Sequence, residues 1–206
     1  MKLVTKPLER AFFSLVDPLV GWLLARKVRP NTITTIGVLV VVISAVAYGV
    51  GMIRWGGALL LLSGVVDTLD GQVARRGGMV SQFGAFYDST LDRVGDGATF
   101  IGVAAFFLTA PDVEYRLWSV MACMVAILAA LLVSYARARA EGLGLDCKVG
   151  IVQRAERLIG LGVPSLLVGA GTGGVVLQVI VGVLAVLSTV TVIQRFVFVY
   201  RATGGV

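Results

Sequence analysis

The sequence predicts an all-α membrane protein, with six transmembrane helices preceded by an N-terminal amphipathic helix at the membrane interface. Two observations support this prediction. Hydrophobic residues make up 57% of the 206 residues and charged residues only 15%, and the mean hydropathy is +0.92. Soluble domains are typically about 45–50% apolar and about 25% charged. The apolar residues also run in stretches of about 20, the length that a helix needs to cross a bilayer.

Six apolar stretches are separated by polar or glycine-rich breaks, among them Arg54, residues 75–78, Pro111-Asp112 and the polar stretch 140–153. Because the sequence shows no internal repeat and no low-complexity tail, we interpret residues 1–206 as a single domain. The predicted spans are residues 32–53, 55–75, 82–108, 115–139, 155–172 and 175–198.

The distribution of basic residues predicts the orientation of the chain. An even number of spans places both termini on one side, and every Lys and Arg except Arg54 and Arg116 lies at or near that side. Cytoplasmic loops are enriched in Lys and Arg, so we expect a multi-pass protein of the cell membrane with this side in the cytoplasm. The net charge of +6 then suits anionic lipids and phosphate-bearing substrates rather than nucleic acid.

Residues 2–29 predict a helix that lies in the plane of the membrane interface. Its apolar residues recur at helical spacing, with charged residues on the other side. The charged residues also interrupt any signal-peptide core. Packing of this helix on the protein's own surface is the alternative. The apolar residues are Leu8, Phe12, Leu15, Leu19 and Trp22.

Four carboxylates occupy the adjoining ends of the second and third predicted spans: Asp67, Asp70, Asp88 and Asp92. Each such charge costs about 2.5–3.5 kcal/mol in a membrane helix, so together they oppose insertion by roughly 10 kcal/mol unless positive charge compensates them. Within each pair the residues are three or four apart and therefore share a helix face. The short link at 76–81 makes the two helices antiparallel neighbours.

This arrangement predicts a metal site built from all four aspartates, because hard oxygen ligands bind Mg²⁺, Mn²⁺ or Ca²⁺. The alternative is that Arg75, Arg76 or Arg93 neutralises them in salt bridges. The chain contains no histidine, so any general base must be a carboxylate, Lys, Tyr or Cys.

The aspartates belong to a longer pattern: Asp67-x-x-Asp70-Gly71-x-x-Ala74-Arg75, eight residues, then Gly84-x-x-x-Asp88-x-x-x-Asp92. In this pattern and in its six-span layout, the chain resembles the CDP-alcohol phosphotransferases over nearly its whole length. The sequence Pro30-Asn31-x-x-Thr34 also resembles the start of that family's first span.

The resemblance implies an enzyme that moves a phosphatidyl-type group from a CDP-activated lipid to an alcohol, with Mg²⁺ or Mn²⁺ as cofactor. It implies that all four aspartates ligate metal and that Asp92 also acts as the general base on the acceptor hydroxyl. It further implies contacts with the CDP-lipid for Asn31, Thr32, Gly71, Arg75 and Ser81.

An Arg-rich polar segment after the fourth predicted span indicates a phosphorylated acceptor, because guanidinium groups bind phosphate bidentately. The candidates are Arg137, Arg154, Arg157 and, in the last span, Arg195. These segments resemble the inositol-phosphate branch of the family, which implies inositol phosphate as the acceptor. Synthases that use glycerol phosphate or serine, or that make cardiolipin-type lipids, remain alternatives. Arg137, Arg139 or Arg154 could also be topology-setting surface charges.

A small ion or metal transporter is the alternative from another functional class, because acidic residues in spans also mark ion pathways. The aspartates, however, cluster at one side of the membrane beside a basic loop, which favours the transferase. The expected partners are a CDP-lipid donor, inositol phosphate and membrane lipids, without nucleic acid. A homodimer is a further expectation.

Overall fold

Seven α-helices and one 3₁₀ turn make up residues 6–204, the part of the chain that the computed structural model describes, with side chains described from residue 16 onward. Every element in this part is helical, which confirms the all-α prediction. The helices are α1 (Lys6–Ala25), α2 (Pro30–Gly49), α3 (Ile53–Arg76), α4 (Gln82–Thr109), α5 (Arg116–Glu141), α6 (Arg154–Leu167) and α7 (Val175–Ala202), with the 3₁₀ turn at Thr172–Gly174.

Four helical segments between residues 6 and 204 are long and apolar enough to cross a membrane: α2, α3, α5 and the segment Thr172–Ala202. They correspond to four of the six predicted spans. The predicted span 82–108 is a helix of 28 residues, but it carries the charged residues Asp88, Asp92, Arg93 and Asp96. The predicted span 155–172 is a helix of only 14 residues.

Two helices end earlier than predicted, because glycines with left-handed backbone conformations follow them. The predicted span 155–172 stops at Leu167 because Gly169 and Gly171 have φ of 81° and 73°, which a right-handed helix cannot contain. Gly51, with φ of 82°, likewise ends α2 at Gly49, short of the predicted residue 53. This helix begins at Pro30, a residue whose fixed φ suits the first turn.

The N-terminal helix α1 packs on α2 and α3 through one of its faces. Val16 and Val20 are buried there in a cluster with Ile33, Leu69 and Val73. Two members of the predicted apolar stripe, Leu19 and Trp22, instead point outward, with 44% and 52% of their surface exposed. The other three, Leu8, Phe12 and Leu15, lie outside the described side chains. The helix therefore contacts the protein and also presents an exposed apolar face.

The remaining helices form a bundle that places the polar ends of three helices together. α2 packs against both α3 and α4, α5 packs against α4 and α7, and α6 packs against α3. A core cluster that includes Tyr48, Phe100, Phe107, Leu161 and Leu177 fills the interior. The second half of α3, the first half of α4 and the start of α6 consequently meet beside this core.

The contact between α3 and α6 depends on glycine. A Cβ added at Gly57 would lie 2.7 Å from the carbonyl oxygen of Gly162 and 2.7 Å from the amide nitrogen of Leu166, so the two backbones leave no room for a methyl group. We expect Gly57→Ala to destabilise the protein by about 1–3 kcal/mol, as overpacking typically does. A lower melting temperature of the purified protein in detergent would check this.

Gly182→Ala is the matched control, because a Cβ at this position of α7 would meet no described atom within 4 Å. Its melting temperature should stay unchanged or rise, since Gly inside a helix costs about 0.5–1 kcal/mol relative to Ala. Equal melting temperatures for the two variants would contradict the role assigned to Gly57.

Candidate active site

The link between α3 and α4 is built to turn the chain back on itself. Gly78 has φ of 64°, a conformation that favours glycine. Ser81 caps α4, since its hydroxyl oxygen accepts a hydrogen bond from the amide of Gly84 at 3.0 Å. The end of α3 and the start of α4 are thereby held as antiparallel neighbours, as the spacing of the aspartates predicts.

Three of the four predicted metal ligands come together at this place. Carboxylate oxygens of Asp67, Asp70 and Asp88 all lie within 4.8 Å of one another. Asp88 Oδ1 is buried and has no hydrogen-bond partner among residues 6–204, although an orphaned buried oxygen is costly. A divalent cation would satisfy this oxygen and offset the crowded negative charge, so these residues fit a metal.

Thr34 on α2 orients one of these carboxylates. Its hydroxyl donates to Asp70 Oδ2 at 2.6 Å, and both residues are buried. Thr34 is the last residue of the Pro30-Asn31-x-x-Thr34 sequence at the start of the first predicted span. Its position explains that sequence in part, because it places a hydroxyl donor on the neighbouring helix opposite Asp70.

Asp92, the predicted general base, lies one turn beyond Asp88 and next to two arginines. Arg154 Nη1 is 2.9 Å from Asp92 Oδ1 and 2.7 Å from Asp67 Oδ1, so a single guanidinium nitrogen bridges α3 and α4. Arg93 Nη2 is 3.4 Å from Asp92 Oδ2. Of the arginines that could neutralise the aspartates, Arg93 does so in part, whereas Arg76 pairs with Asp17 at 2.6 Å on α1.

The four predicted acceptor-binding arginines occupy three different settings. Arg154 and Arg157 lie three residues apart at the start of α6, close to the carboxylates. Arg195 is 2% exposed, and its guanidinium donates to the carbonyl oxygens of Val133 and Val149. Arg137 lies near the end of α5 and forms an ion pair with Glu141 at 2.8 Å.

The residues expected to contact the CDP-lipid form two small groups beside the aspartates. At the start of α4, a Cβ on Gly84 would lie 3.0 Å from Ser81 Oγ and 3.4 Å from Asn31 Oδ1, so these three residues are neighbours. On α3, a Cβ on Gly71 would lie 3.1 Å from Arg75 Nη1. The fifth candidate, Thr32, is exposed in the first turn of α2.

Two adjoining cavities lie in this region and share Val41 and Arg154 in their walls. The first contains polar residues of the carboxylate cluster, among them Asp67, Asp70 and Asp92. The second is lined by Asp96 and Arg157 together with apolar residues of α2, α3, α4 and α6. Arg154 therefore lies between the cavity that contains the carboxylates and the cavity that is lined by Arg157.

Asp96 and Ser134 also belong to the polar network, although neither was predicted from the sequence to be a site residue. Asp96 Oδ2 is 2.6 Å from Arg157 Nη2 and 3.3 Å from Arg93 Nη1. Ser134 on α5 accepts a hydrogen bond from Arg93 Nη1. The spacing offered one signal, because Asp88, Asp92 and Asp96 recur every four residues and so follow one face of α4.

The sequence model of a known family matches most of this chain. It is the CDP-alcohol phosphatidyltransferase family, and the match covers residues 27–199. The chain belongs to this family. The protein is therefore an integral-membrane transferase enzyme, as the aspartate pattern predicts, and the transporter alternative has no comparable support.

Members of the CDP-alcohol phosphatidyltransferase family with assigned names resemble the chain over nearly its whole length. The archaetidylinositol phosphate synthase of Methanothermobacter thermautotrophicus is 37% identical, over 95% of this chain and 92% of its own. The phosphatidylinositol phosphate synthase of Cutibacterium acnes is 39% identical, over 91% of this chain and 93% of its own.

Solved structures of one family member are similar in fold. The Mycobacterium tuberculosis phosphatidylinositol phosphate synthase with bound CDP-DAG has a TM-score of 0.78 and 31% identity, over 91% of this chain and 94% of its own. The same enzyme in complex with manganese and citrate also gives 0.78 and 31%, over 89% and 88%. The manganese in that complex agrees with a divalent-metal cofactor at the three clustered aspartates.

Proposed function

We propose that the protein transfers a phosphatidyl-type group from a CDP-activated lipid, CDP-diacylglycerol or its archaeal equivalent, to inositol phosphate, with release of CMP. The observation that carries this proposal is the placement of Arg154 beside the cluster of Asp67, Asp70 and Asp88, 2.7 Å from Asp67, with Arg157 next to it on α6 and bound to Asp96. A metal site for the donor and guanidinium groups for a phosphorylated acceptor then adjoin each other. The names of the relatives support the same donor and acceptor.

On the donor side, Asp67, Asp70 and Asp88 would hold Mg²⁺ or Mn²⁺, and Asp92 would complete the ligand set. The cation would stabilise the negative charge that develops on the pyrophosphate. Asn31, Thr32, Gly71, Arg75 and Ser81 would bind the CDP part of the donor, since most of them surround the two ends of the α3–α4 link.

Asp92 would act on the acceptor by removing a proton from its hydroxyl group. The hydroxyl oxygen forms a new bond to the lipid-bearing phosphorus, the bond from this phosphorus to CMP breaks, and the proton goes to the Asp92 carboxylate. Arg93 and Arg154 lie at 3.4 and 2.9 Å from this carboxylate and hold it in place between donor and acceptor.

On the acceptor side, Arg157 and Arg154 would bind the phosphate of inositol phosphate, assisted by Arg195 and Arg137. Arg195 uses Nε and Nη1 for backbone carbonyls, so Nη2 remains for a ligand. Glycerol phosphate would engage the same arginines, whereas serine or unphosphorylated inositol would leave them without a phosphate.

For the membrane arrangement, we propose that residues 1–206 form one membrane domain with six spans, with the active site on the cytoplasmic side and α1 at the interface. The 28 residues of α4 would extend about 42 Å at 1.5 Å per residue, which exceeds the bilayer core. The charged side chains of α4 face other helices at the active site, so they do not prevent this helix from crossing the membrane. The proposed homodimer is tested by measuring the mass of the purified protein in detergent.

Turnover by the purified protein with CDP-diacylglycerol tests the function. CMP release is expected with inositol phosphate and not with inositol, glycerol phosphate or serine. EDTA should abolish it, and added Mg²⁺ or Mn²⁺ should restore it, because the clustered carboxylates hold the cation that the reaction needs.

Full activity in metal-free buffer would contradict the metal site. Efficient use of serine or unphosphorylated inositol would contradict the acceptor but leave the transferase chemistry in place. Preference for glycerol phosphate would keep the phosphate site and change only the identity of the alcohol.

A further inference from the structure

Asp96 is the carboxylate of this region that lies outside the family's aspartate pattern. It is on α4, one turn beyond Asp92, and only 11% of its side chain is exposed. It is not part of the group formed by Asp67, Asp70 and Asp88. Its Oδ2 atom instead faces the guanidinium groups of Arg157 at 2.6 Å and Arg93 at 3.3 Å.

Arg157 is the more buried of these two arginines, with 3% of its side chain exposed. One of its nitrogens, Nη2, is bound to Asp96, while Nε and Nη1 are buried without a hydrogen-bond partner among residues 6–204. Unpaired buried donors on a charged group are costly. Because Arg157 and Asp96 both line the second cavity, a ligand in that cavity would supply the missing acceptors.

A long arginine side chain has several rotatable bonds, so a defined guanidinium position requires an anchor. Asp96 supplies this anchor from the neighbouring helix, and the anchor is itself held. Arg93 contacts Asp96 and also donates to Ser134 on α5, so α4, α5 and α6 are tied together at this carboxylate. Asp96 therefore sets where the remaining N–H groups of Arg157 lie.

We propose that Asp96 is a positioning residue for acceptor specificity: it holds Arg157 by one nitrogen and leaves the other two to bind the phosphate of the acceptor. The proposal rests on the proposed function, because it assumes a phosphorylated acceptor. It differs from a purely structural role, in which Asp96 only compensates the buried charge of Arg157. The two roles predict different kinetics.

The test is the variant Asp96→Asn, which keeps the shape of the side chain and removes its charge. We expect the KM for inositol phosphate to rise about tenfold or more, as the loss of one charged hydrogen bond implies. The KM for CDP-diacylglycerol should change less than about twofold, because the two arginines that pair with Asp96, Arg93 and Arg157, are not among the residues proposed to bind the donor. Asp146→Asn is the matched control, since Asp146 also pairs with a basic side chain, Lys148, but in an exposed loop.

A double-mutant cycle with Arg157→Ala tests whether Asp96 acts through Arg157, since residues that act through one another are not additive. If Asp96 acts through Arg157, the double variant Asp96→Asn/Arg157→Ala should have the same KM for inositol phosphate as Arg157→Ala alone. Additive effects, or equal increases in both KM values, would overturn the proposal. If Asp96→Asn does not fold, Asp96→Glu keeps the charge one methylene farther out. A raised acceptor KM in Asp96→Glu would support the proposal, and wild-type kinetics would overturn it.

Failure of the proposed function would look different. A wild-type protein that prefers glycerol phosphate would refute inositol phosphate as the acceptor, and the same comparison with glycerol phosphate would still decide the role of Asp96. A wild-type protein that uses only unphosphorylated acceptors would refute both.

Discussion

Asp92→Asn is expected to lower the rate of transfer about 10²–10⁴-fold, the contribution that a general base typically makes. Asn keeps the shape of the side chain and one oxygen ligand, but it cannot accept the proton of the acceptor hydroxyl. CDP-lipid binding should remain close to that of the wild type, because Asp67, Asp70 and Asp88 still form their cluster. Single-turnover kinetics together with equilibrium binding of the CDP-lipid would measure both quantities.

Two kinds of variant would show that the loss of rate is specific to the role of Asp92 as the general base. Asp67→Asn or Asp70→Asn should weaken metal and nucleotide binding, because each removes a charged ligand from the cluster. Asp112→Asn, at an exposed position between α4 and α5, should leave both the rate and the binding unchanged. An Asp92→Asn protein that keeps more than about a tenth of the wild-type rate would refute the base assignment.

Arg157→Ala should raise the KM for inositol phosphate with little change in CDP-lipid affinity. The expected loss is about 1.5–3 kcal/mol, typical of a hydrogen bond to a charged group. Arg157 is the acceptor-site arginine with two buried nitrogens that lack a partner among the described residues, so its removal should affect the acceptor most directly. Initial rates at varied acceptor and donor concentrations would separate the two effects.

Arg139→Ala is the matched control, because Arg139 is an exposed basic residue in the last turn of α5. Its KM values should match those of the wild type. If Arg157→Ala reduced CDP-lipid affinity as much as acceptor affinity, Arg157 would belong to the donor site instead.

The carboxylate cluster could be predicted because its geometry is local. Residues three or four apart share a helix face whatever the tertiary structure, and a short link forces antiparallel helices, so Asp67, Asp70 and Asp88 had to meet. The membrane spans formed by α2 and α5 could be predicted for a similar reason, because the length of an apolar stretch is also a local property of the sequence. The prediction that the span containing α6 continues to residue 172 was wrong, because the sequence does not show which glycines adopt a left-handed conformation in the folded chain.

The arginine partners could not be predicted because they depend on how distant helices pack. Arg157 meets Asp96 across 61 positions of sequence, and no helical spacing relates the two residues. Arg195 was predicted from the sequence as an acceptor-binding residue in the last span, and its hydrogen bonds to the backbone carbonyls of Val133 and Val149 appear only in the folded chain. Arg154 was expected at the acceptor phosphate, and its bridge between Asp67 and Asp92 follows only from the packing of α6 on α3.

The charges that surround the carboxylate cluster do not balance, and this imbalance bears on the order in which the reactants bind. Around the carboxylate cluster, the five aspartates and the three guanidinium groups that pair with some of them leave two negative charges in excess: Asp67, Asp70, Asp88, Asp92 and Asp96 against Arg93, Arg154 and Arg157. The donor brings an anionic pyrophosphate, and like charges repel strongly away from bulk water.

One divalent cation would cancel this excess. We therefore expect ordered binding, in which the cation enters before the CDP-lipid or together with it. The dissociation constant of the CDP-lipid should rise steeply when EDTA replaces Mn²⁺, even with no acceptor present. Equal donor affinity in the two buffers would contradict this order. With the cation bound, this group of charges would be electrically neutral, and the arginines at the start of α6 would then attract the second anion.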